Sequence, residues 1–337
     1  MSKLFNLFSS SNNKSGRGVT KKQVERDKKM GVGFFFRLLK ARLGNISSTS
    51  LIFSVCNFPI LLFLFGISGN LDSSVPGPIS PLYAQVYGME VAAVKGTELA
   101  AKQGPLLSTL HGIFGVNTSV SVVSLGSKIF MYCAALLILT FGLASIGAIY
   151  NMRSVARCEP LSPWSEFFPA VRRNFKQGIL IAVMDALLIL FLGYDLIAYY
   201  ANANQFFMQM SFYVVLFFTI IYYVMRFHMY LILVTFDLKT SKLLKNAVLL
   251  TFLGWKRSLL CLIASVLTVL ISVYLYVLLP FFGLLLPFVF TFGILTFIGV
   301  YAAYPVIDKY MIEPYYLEHP EERPEEEEIE PVFTDRG

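Results

Sequence analysis

Four ionisable side chains fall inside long apolar runs of this sequence: Asp185, Asp195, Arg226 and His228. A charge held at the centre of a bilayer costs at least roughly 2.5–3.5 kcal/mol, so each needs a partner or a task. Asp185 lies seven residues beyond Gly178, and Arg226 ten before the end of its run. If both runs cross a membrane as helices, both residues sit roughly 10–15 Å in from the same face. The two runs are joined by a short connection and must then be antiparallel neighbours. This predicts an Asp185–Arg226 ion pair, with His228 beside it if the helix faces agree. Such a cluster could relay a proton or seat a polar solute. It could also be interhelical glue that satisfies two costly charges, which is the stronger reading. Asp195 lies among Tyr194, Tyr199 and Tyr200 near the end of its run, where water reaches it.

No other pattern carries chemistry. The chain has no GxxxxGK[ST] loop for nucleotide, no HExxH for zinc and no GxSxG nucleophile elbow. His111, His228 and His319 are scattered, and the four cysteines divide between apolar runs (Cys56, Cys133, Cys261) and a basic loop (Cys158). Neither a metal site, a disulfide, a cofactor nor an enzymatic centre is expected. Gly142, Gly147 and Gly293 read as positions where helices pack closely.

The elements that must position these residues are membrane spans. Residues of the AVILMFWYC set make up 56% of the 337 positions and charged residues only 15%, against roughly 25% charged in a soluble domain. The apolar residues gather into runs of about twenty, the length a helix needs to cross about 30 Å of hydrocarbon. The alternation of a β-barrel is missing. The fold class is therefore an all-α membrane protein of six transmembrane helices, at 49–67, 128–150, 178–200, 208–236, 258–278 and 281–305. Pro280 and Pro287 interrupt the last long stretch, which reads as a hairpin turning near Pro280. A net charge of +7 would suit nucleic acid, but the cations flank apolar runs, and membrane orientation explains them better. They cluster before span 1 (Lys3 to Arg42), between spans 2 and 3 (Arg153, Arg157, Arg172, Arg173, Lys176) and between spans 4 and 5 (Lys239, Lys242, Lys245, Lys256, Arg257). The other side has only Lys95, Lys102 and Lys128. Cationic loops resist translocation, so both termini are expected in the cytoplasm. The polar, basic residues 1–48 do not read as a cleavable signal.

Ahead of each outward-going span, paired bulky apolar residues stand ten or eleven positions before a glycine: Phe34-Phe35 to Gly44, Phe167-Phe168 to Gly178, and Leu243-Leu244 to Gly254. In the second segment Trp164, Phe167, Phe168, Val171 and Phe175 share a helical face, Arg172, Arg173 and Lys176 lie away from it, and Ser162-Pro163 suits a helix start. Pro169 should add a kink. This describes an amphipathic elbow helix lying in the membrane plane, and the chain as three tandem elbow-plus-hairpin units. The expected organisation is a basic segment with the first elbow over 1–48, a membrane domain over 49–305 holding an outer insert at 68–127, and an acidic cytoplasmic tail over 306–337. The insert holds the turn-rich LDSSVPGPISP and a stretch, MEVAAVKGTELAAKQG, that could form a short helix. It could be a folded cap, a partner-binding surface or a linker. The tail EERPEEEEIEP carries too much like charge to pack.

The segments GVGFFFRLLKARLGN with Asn57-Phe-Pro59, IGAIYNMRSVARCEPLSPWSEFFPAVRRNFKQGILIAV with GYDLIAYY, and FDLKTSKLLKNAVLLTF together resemble the YesL family of bacterial polytopic membrane proteins. The long outer insert departs from that family's compact pattern, as does Ile146-Gly147-Ala148 where glycine-proline is common. The resemblance implies no catalytic residues. By gene association it implies an accessory role in carbohydrate uptake, with ABC-transporter permease subunits as partners, or a homo-oligomer in the cell membrane. The alternative is a small secondary transporter coupling solute to protons through Asp185, Arg226 and His228.

Overall fold

The computed structural model describes residues 30–77 and 118–322. The cations from Lys3 to Lys29, the short helix expected in the insert, His111 and nearly all of the acidic tail lie outside the described residues.

Among the described residues, five helical stretches are long and apolar enough to cross a membrane: Leu125–Ala156, Phe175–Ala201, Phe206–Thr235, Trp255–Leu278 and Pro287–Glu318. The pair α2 (Leu43–Cys56) and α3 (Pro59–Ile67), bent by 58° at Asn57-Phe58, makes a sixth when the two are taken as one span. Pro59 lacks the N–H that would continue α2, and the chain turns through three-residue hydrogen bonds, Asn57 to Ser54 and Phe58 to Val55. This break adds to those expected only near Pro280 and Pro287.

The remaining elements are α1 (Val32–Ala41), α4 (Leu125–Tyr132), α5 (Ala134–Ala156), α6 (Pro163–Arg173), α7 (Phe175–Ala201), α8 (Phe206–Thr235), α9 (Thr240–Leu253), α10 (Trp255–Leu278), α11 (Pro280–Leu286), α12 (Phe292–Ile307) and α13 (Glu313–Glu318). The chain turns at Leu279, as expected, and α11 folds back so tightly that Gly283 abuts the backbone of Tyr276. Pro287 does not interrupt the helix. A π-turn over Pro287–Thr291 widens it, removing the clash between the proline ring and the preceding turn. A second π-turn, Asp308–Ile312, carries the helix on to Glu318, well beyond the expected end at 305.

Two strands, β1 (Ser73–Gly77) and β2 (Thr118–Val122), form an antiparallel ribbon at the two ends of the insert, with Ser73 opposite Val122. The turn-rich composition of LDSSVPG predicts a turn there instead of a strand. Each strand of a two-stranded ribbon has one open edge, so Pro76 is tolerated there.

The chain divides into two compact units. One comprises Met1–Phe53, Ser145–Gly178 and Leu192–Gly337, the other Ser54–Ala144 and Ile179–Phe191. In the larger unit α12 is the central helix, buried along Phe297, Val300, Tyr301, Ala303 and Val306. Phe35 of α1 stacks on Phe297 with ring centroids 5.2 Å apart, and α2 crosses at Gly293, where a Cβ would come within 2.5 Å of the Ile46 carbonyl oxygen. In the smaller unit α3 crosses α4 at Gly66, against the backbone of Ser127 and Met131. Asp72 fastens that crossing, accepting from the Ser127 hydroxyl at 2.5 Å and the Ser124 N–H at 3.3 Å.

Candidate functional site

The three elbows exist as three helix pairs, each broken at one residue: α1–α2 at Arg42, α6–α7 at Asn174 and α9–α10 at Gly254. These residues share one bridge-region conformation, with φ, ψ of −114, 17; −99, 13; and −91, 21. At each break the N–H still reaches back four residues, to Leu38, Ala170 and Leu250, and all three of those are buried. Seven residues before the break, Phe167 and Ala247 are buried and Phe35 half-buried. The structural repeat is therefore keyed to the break and not to the glycines. Only Gly254 is both, because a bridge-region residue needs no positive φ and Arg or Asn adopts it as readily.

The connections between these pairs are joined by hydrogen bonds from polar side chains. Arg42 donates to the Cys158 carbonyl at 3.3 Å. The Asn151 amide donates to Thr49 Oγ1 of α2 and to the Pro163 carbonyl at the start of α6, both at 3.2 Å. Arg153 donates to the Val234 carbonyl at 3.0 Å and to Thr235 Oγ1 at 3.2 Å, placing a cation on the last turn of α8, where the helix dipole favours one. Gln177 donates to the Leu238 carbonyl at 2.7 Å. These bonds gather the cationic segments 42, 151–177 and 234–240 on one side of the larger unit. Arg153 and Arg173 both lie over the Tyr150 ring, at 4.9 and 5.2 Å from its centroid.

The α6 stripe divides in two. Phe167 points inward onto Gly147 of α5, where a Cβ would meet its ring at 2.7 Å, and Ala170 is buried beside it. Trp164, Phe168 and Phe175 are exposed and Val171 is half-buried, while Arg172, Arg173 and Lys176 are exposed. Phe167 thus leaves the shared face expected of it, because it lies only about 60° around the helix from Trp164 and the protein takes that edge. Pro169 sits inside a helix that continues to Arg173. Glu166 reaches back to accept from the Ser162 N–H at 3.2 Å, securing the expected start.

The expected charge cluster falls in both units. Asp185 is fully buried on α7 in the smaller one. In the larger, Arg226 is half-buried, 3.5 Å from Ser145 Oγ and 5.6 Å from the Tyr230 ring centroid. His228 is buried, its ring Nδ1 is 3.3 Å from the Val224 carbonyl, and Nε2 has no hydrogen-bond partner among the described residues. Two residues along a helix is a rotation of about 200°, so Arg226 and His228 point to opposite sides of α8 and the helix faces do not agree. Sequence spacing alone places these two side chains on different faces of the helix. Asn151 and Ser50 were missed; an amide within the apolar run IGAIYNM was the available signal for the first. Among the described residues, no three of His, Cys, Asp and Glu come together as a metal would require, and none of the four cysteines is in a disulfide.

Residues 110–196 match the family model described as "Protein of unknown function, DUF624". The match covers about a quarter of the chain, including α4, α5, α6 and most of α7. None of the curated proteins and none of the solved structures matches the chain.

Proposed function

We propose that the protein is a non-enzymatic integral membrane subunit that assists or assembles with a carbohydrate uptake system of the ABC type. The observation that carries this reading is the α6 ledge. Its inner edge is fixed by Phe167 on Gly147 and by the Asn151 bond to Pro163, while Trp164, Phe168 and Phe175 stand exposed beside three cations. A rigid platform that presents aromatics and cations together suits a protein–protein contact at the membrane surface. The polar side chains Asn151 and Arg153 tie neighbouring helices to one another. The carbohydrate assignment rests on the resemblance to the YesL family, whose most telling block, residues 146–183, contains this ledge.

A photo-reactive residue placed at Trp164 or Phe168 in native membranes should form an adduct with a sugar-permease subunit. Phe167→Ala, which frees the ledge, should lower the yield at least several-fold. Adducts with lipid alone under several growth conditions would end this reading. The proposal also places the elbows at the cytoplasmic leaflet. Cys158 is the exposed thiol, so an impermeant maleimide should label it in inside-out vesicles and not in intact cells.

One observation favours a second reading, a proton-coupled transporter: His228 buries an imidazole nitrogen with no hydrogen-bond partner among the described residues, and such groups are costly unless used. Solute uptake unchanged by His228→Gln, and by Asp185→Asn with Arg226→Gln, would remove it.

A further inference from the structure

Five cations stand exposed on one side of the larger unit: Arg172 and Arg173 at the end of α6, Lys176 in the first turn of α7, and Lys239 and Lys242 at the start of α9. Gln177 ties the two groups together, donating to the Leu238 carbonyl at 2.7 Å and to Thr240 Oγ1 at 3.3 Å. Among the described residues none of the five is paired with a carboxylate, whereas Arg157 pairs with Glu159 at 2.9 Å. The chain's own acid lies further along the sequence. Residues 321–330, EERPEEEEIE, hold seven glutamates against one arginine, and those from 323 on lie outside the described residues. The helix that leads to them emerges beside the cations. Val306 of α12 fills the space at Gly254, where α9 ends. Tyr304 is within electrostatic reach of Arg153 and Arg157, and Asp308 of Arg157, while Arg153 shares the Tyr150 ring with Arg173. The helix runs on from Asp308 to Glu318, a rise of about 15 Å. His319 then leaves the helical conformation ahead of Pro320. Residues 323–328 reach up to about 20 Å when extended, enough to bring their glutamates back over that rise to the level of Arg157 and Arg173.

We propose that the glutamates of residues 325–330 dock on this cationic face, so that the protein covers its own cations with its own acid. Charge and reach agree on that occupant. A single exposed ion pair contributes little, but five glutamates here meet five cations, and the tether keeps them at an effective concentration on the order of millimolar. Any other anion, soluble or on a lipid headgroup, has to displace the acidic run first, which makes the contact a gate on whatever else uses these cations. The proposal concerns charges within one chain and stands whether or not the aromatics of α6 meet a permease.

The test is zero-length carbodiimide cross-linking of the full-length protein in phosphatidylcholine nanodiscs, which joins a carboxylate to a lysine amine only where the two touch. The main adducts should link the peptide holding residues 325–328 to Lys176, Lys239 or Lys242, and mixing isotope-labelled with unlabelled copies should show that they form within one chain. Arg172→Gln with Arg173→Gln leaves every reacting amine and carboxylate in place, and should lower the yield about threefold. Should that variant fail to give a melting transition, salt carries the test on the unaltered protein: going from about 0.15 M to about 1 M shortens the screening length from about 8 to about 3 Å and should lower the yield at least as far. The adducts should persist when half of the phosphatidylcholine is replaced by phosphatidylglycerol. Their loss in that membrane would assign the cations to lipid headgroups. Adducts confined to the lysines of residues 1–29, or formed only between copies, would give the acidic run another partner. Each of these results, like a yield indifferent to salt and to the arginines or an absence of adducts, overturns the proposal.

Discussion

Helices α10 and α12 invert the rule that serves for soluble proteins. The span containing α10 is the most apolar of the five long ones, yet only about a tenth of its most apolar stretch is buried; the span containing α12 is the least apolar, and more than half of its most apolar stretch is buried. Lipid is as apolar as leucine, so hydropathy cannot decide which helix goes inside. Close backbone approach decides instead. α10 turns Leu259, Ile263, Val266, Leu270 and Val273 outward, whereas α12 carries Gly293, Gly299, Ala302 and Ala303. At Gly293 the helix meets the backbone of α2, and at Gly299 the Phe227 ring fills the place a side chain would take.

The contrast is broken most severely at Gly293. A methyl there would press on the Ile46 carbonyl oxygen at 2.5 Å and on the Ser50 Cβ at 2.9 Å. Neither is the loose end of a flexible side chain. Gly293→Ala should therefore cost about 3 kcal/mol, the upper end for overpacking, read as the unfolding midpoint in mixed detergent. Phe297→Ala comes next. The membrane removes the water-transfer contribution, so what remains is the cavity left beneath Phe35, about 2 kcal/mol.

How much of this was legible beforehand depends on the range of the cause. The Leu279 turn was legible because proline acts on its own neighbours, and the cationic elbows because charge and apolar pairs sit within one stretch of chain. The elbow register was not, since the break is a backbone conformation that Arg42, Asn174 and Gly254 reach with different side chains. The β1–β2 pairing joins residues some forty-five positions apart across the insert, so a serine-rich segment gave no local sign of it. Ser50 was invisible for the same reason, its partners lying in α12 and the turn before it. By contrast, the opposed faces of Arg226 and His228 follow from spacing alone.

Ser50 sharpens the comparison at smaller scale. Its hydroxyl donates to the Phe288 carbonyl at 2.9 Å and accepts the Gly293 N–H at 3.1 Å. Those two backbone groups are five residues apart, the spacing of a π-turn hydrogen bond. In Ser50→Ala they can therefore close on each other, so the loss should be about 1 kcal/mol, the low end for a buried hydrogen bond. Amide exchange at Gly293 should quicken by less than a global loss of stability would produce. The amide of Asn151 has no such substitute pairing, and Asn151→Leu, which releases both Thr49 and the start of α6, should cost more than Ser50→Ala by the same assay.

The lipid-facing side supplies the smallest effects. Leu270 is well exposed on α10, and Gly193 of α7 has open space where a Cβ would stand. Leu270→Ala exchanges leucine–lipid contact for alanine–lipid contact and opens no cavity, so its cost should stay within about 0.5 kcal/mol. Gly193→Ala removes backbone freedom without meeting an atom and should stabilise by up to about 1 kcal/mol. Two glycine-to-alanine changes would then carry opposite signs, at Gly293 and at Gly193. The same sign at both would mean that α12's crossing is not what holds this unit together. A loss at Leu270 as large as that at Phe297 would mean that α10's outer face is covered by protein in the membrane, a second copy included.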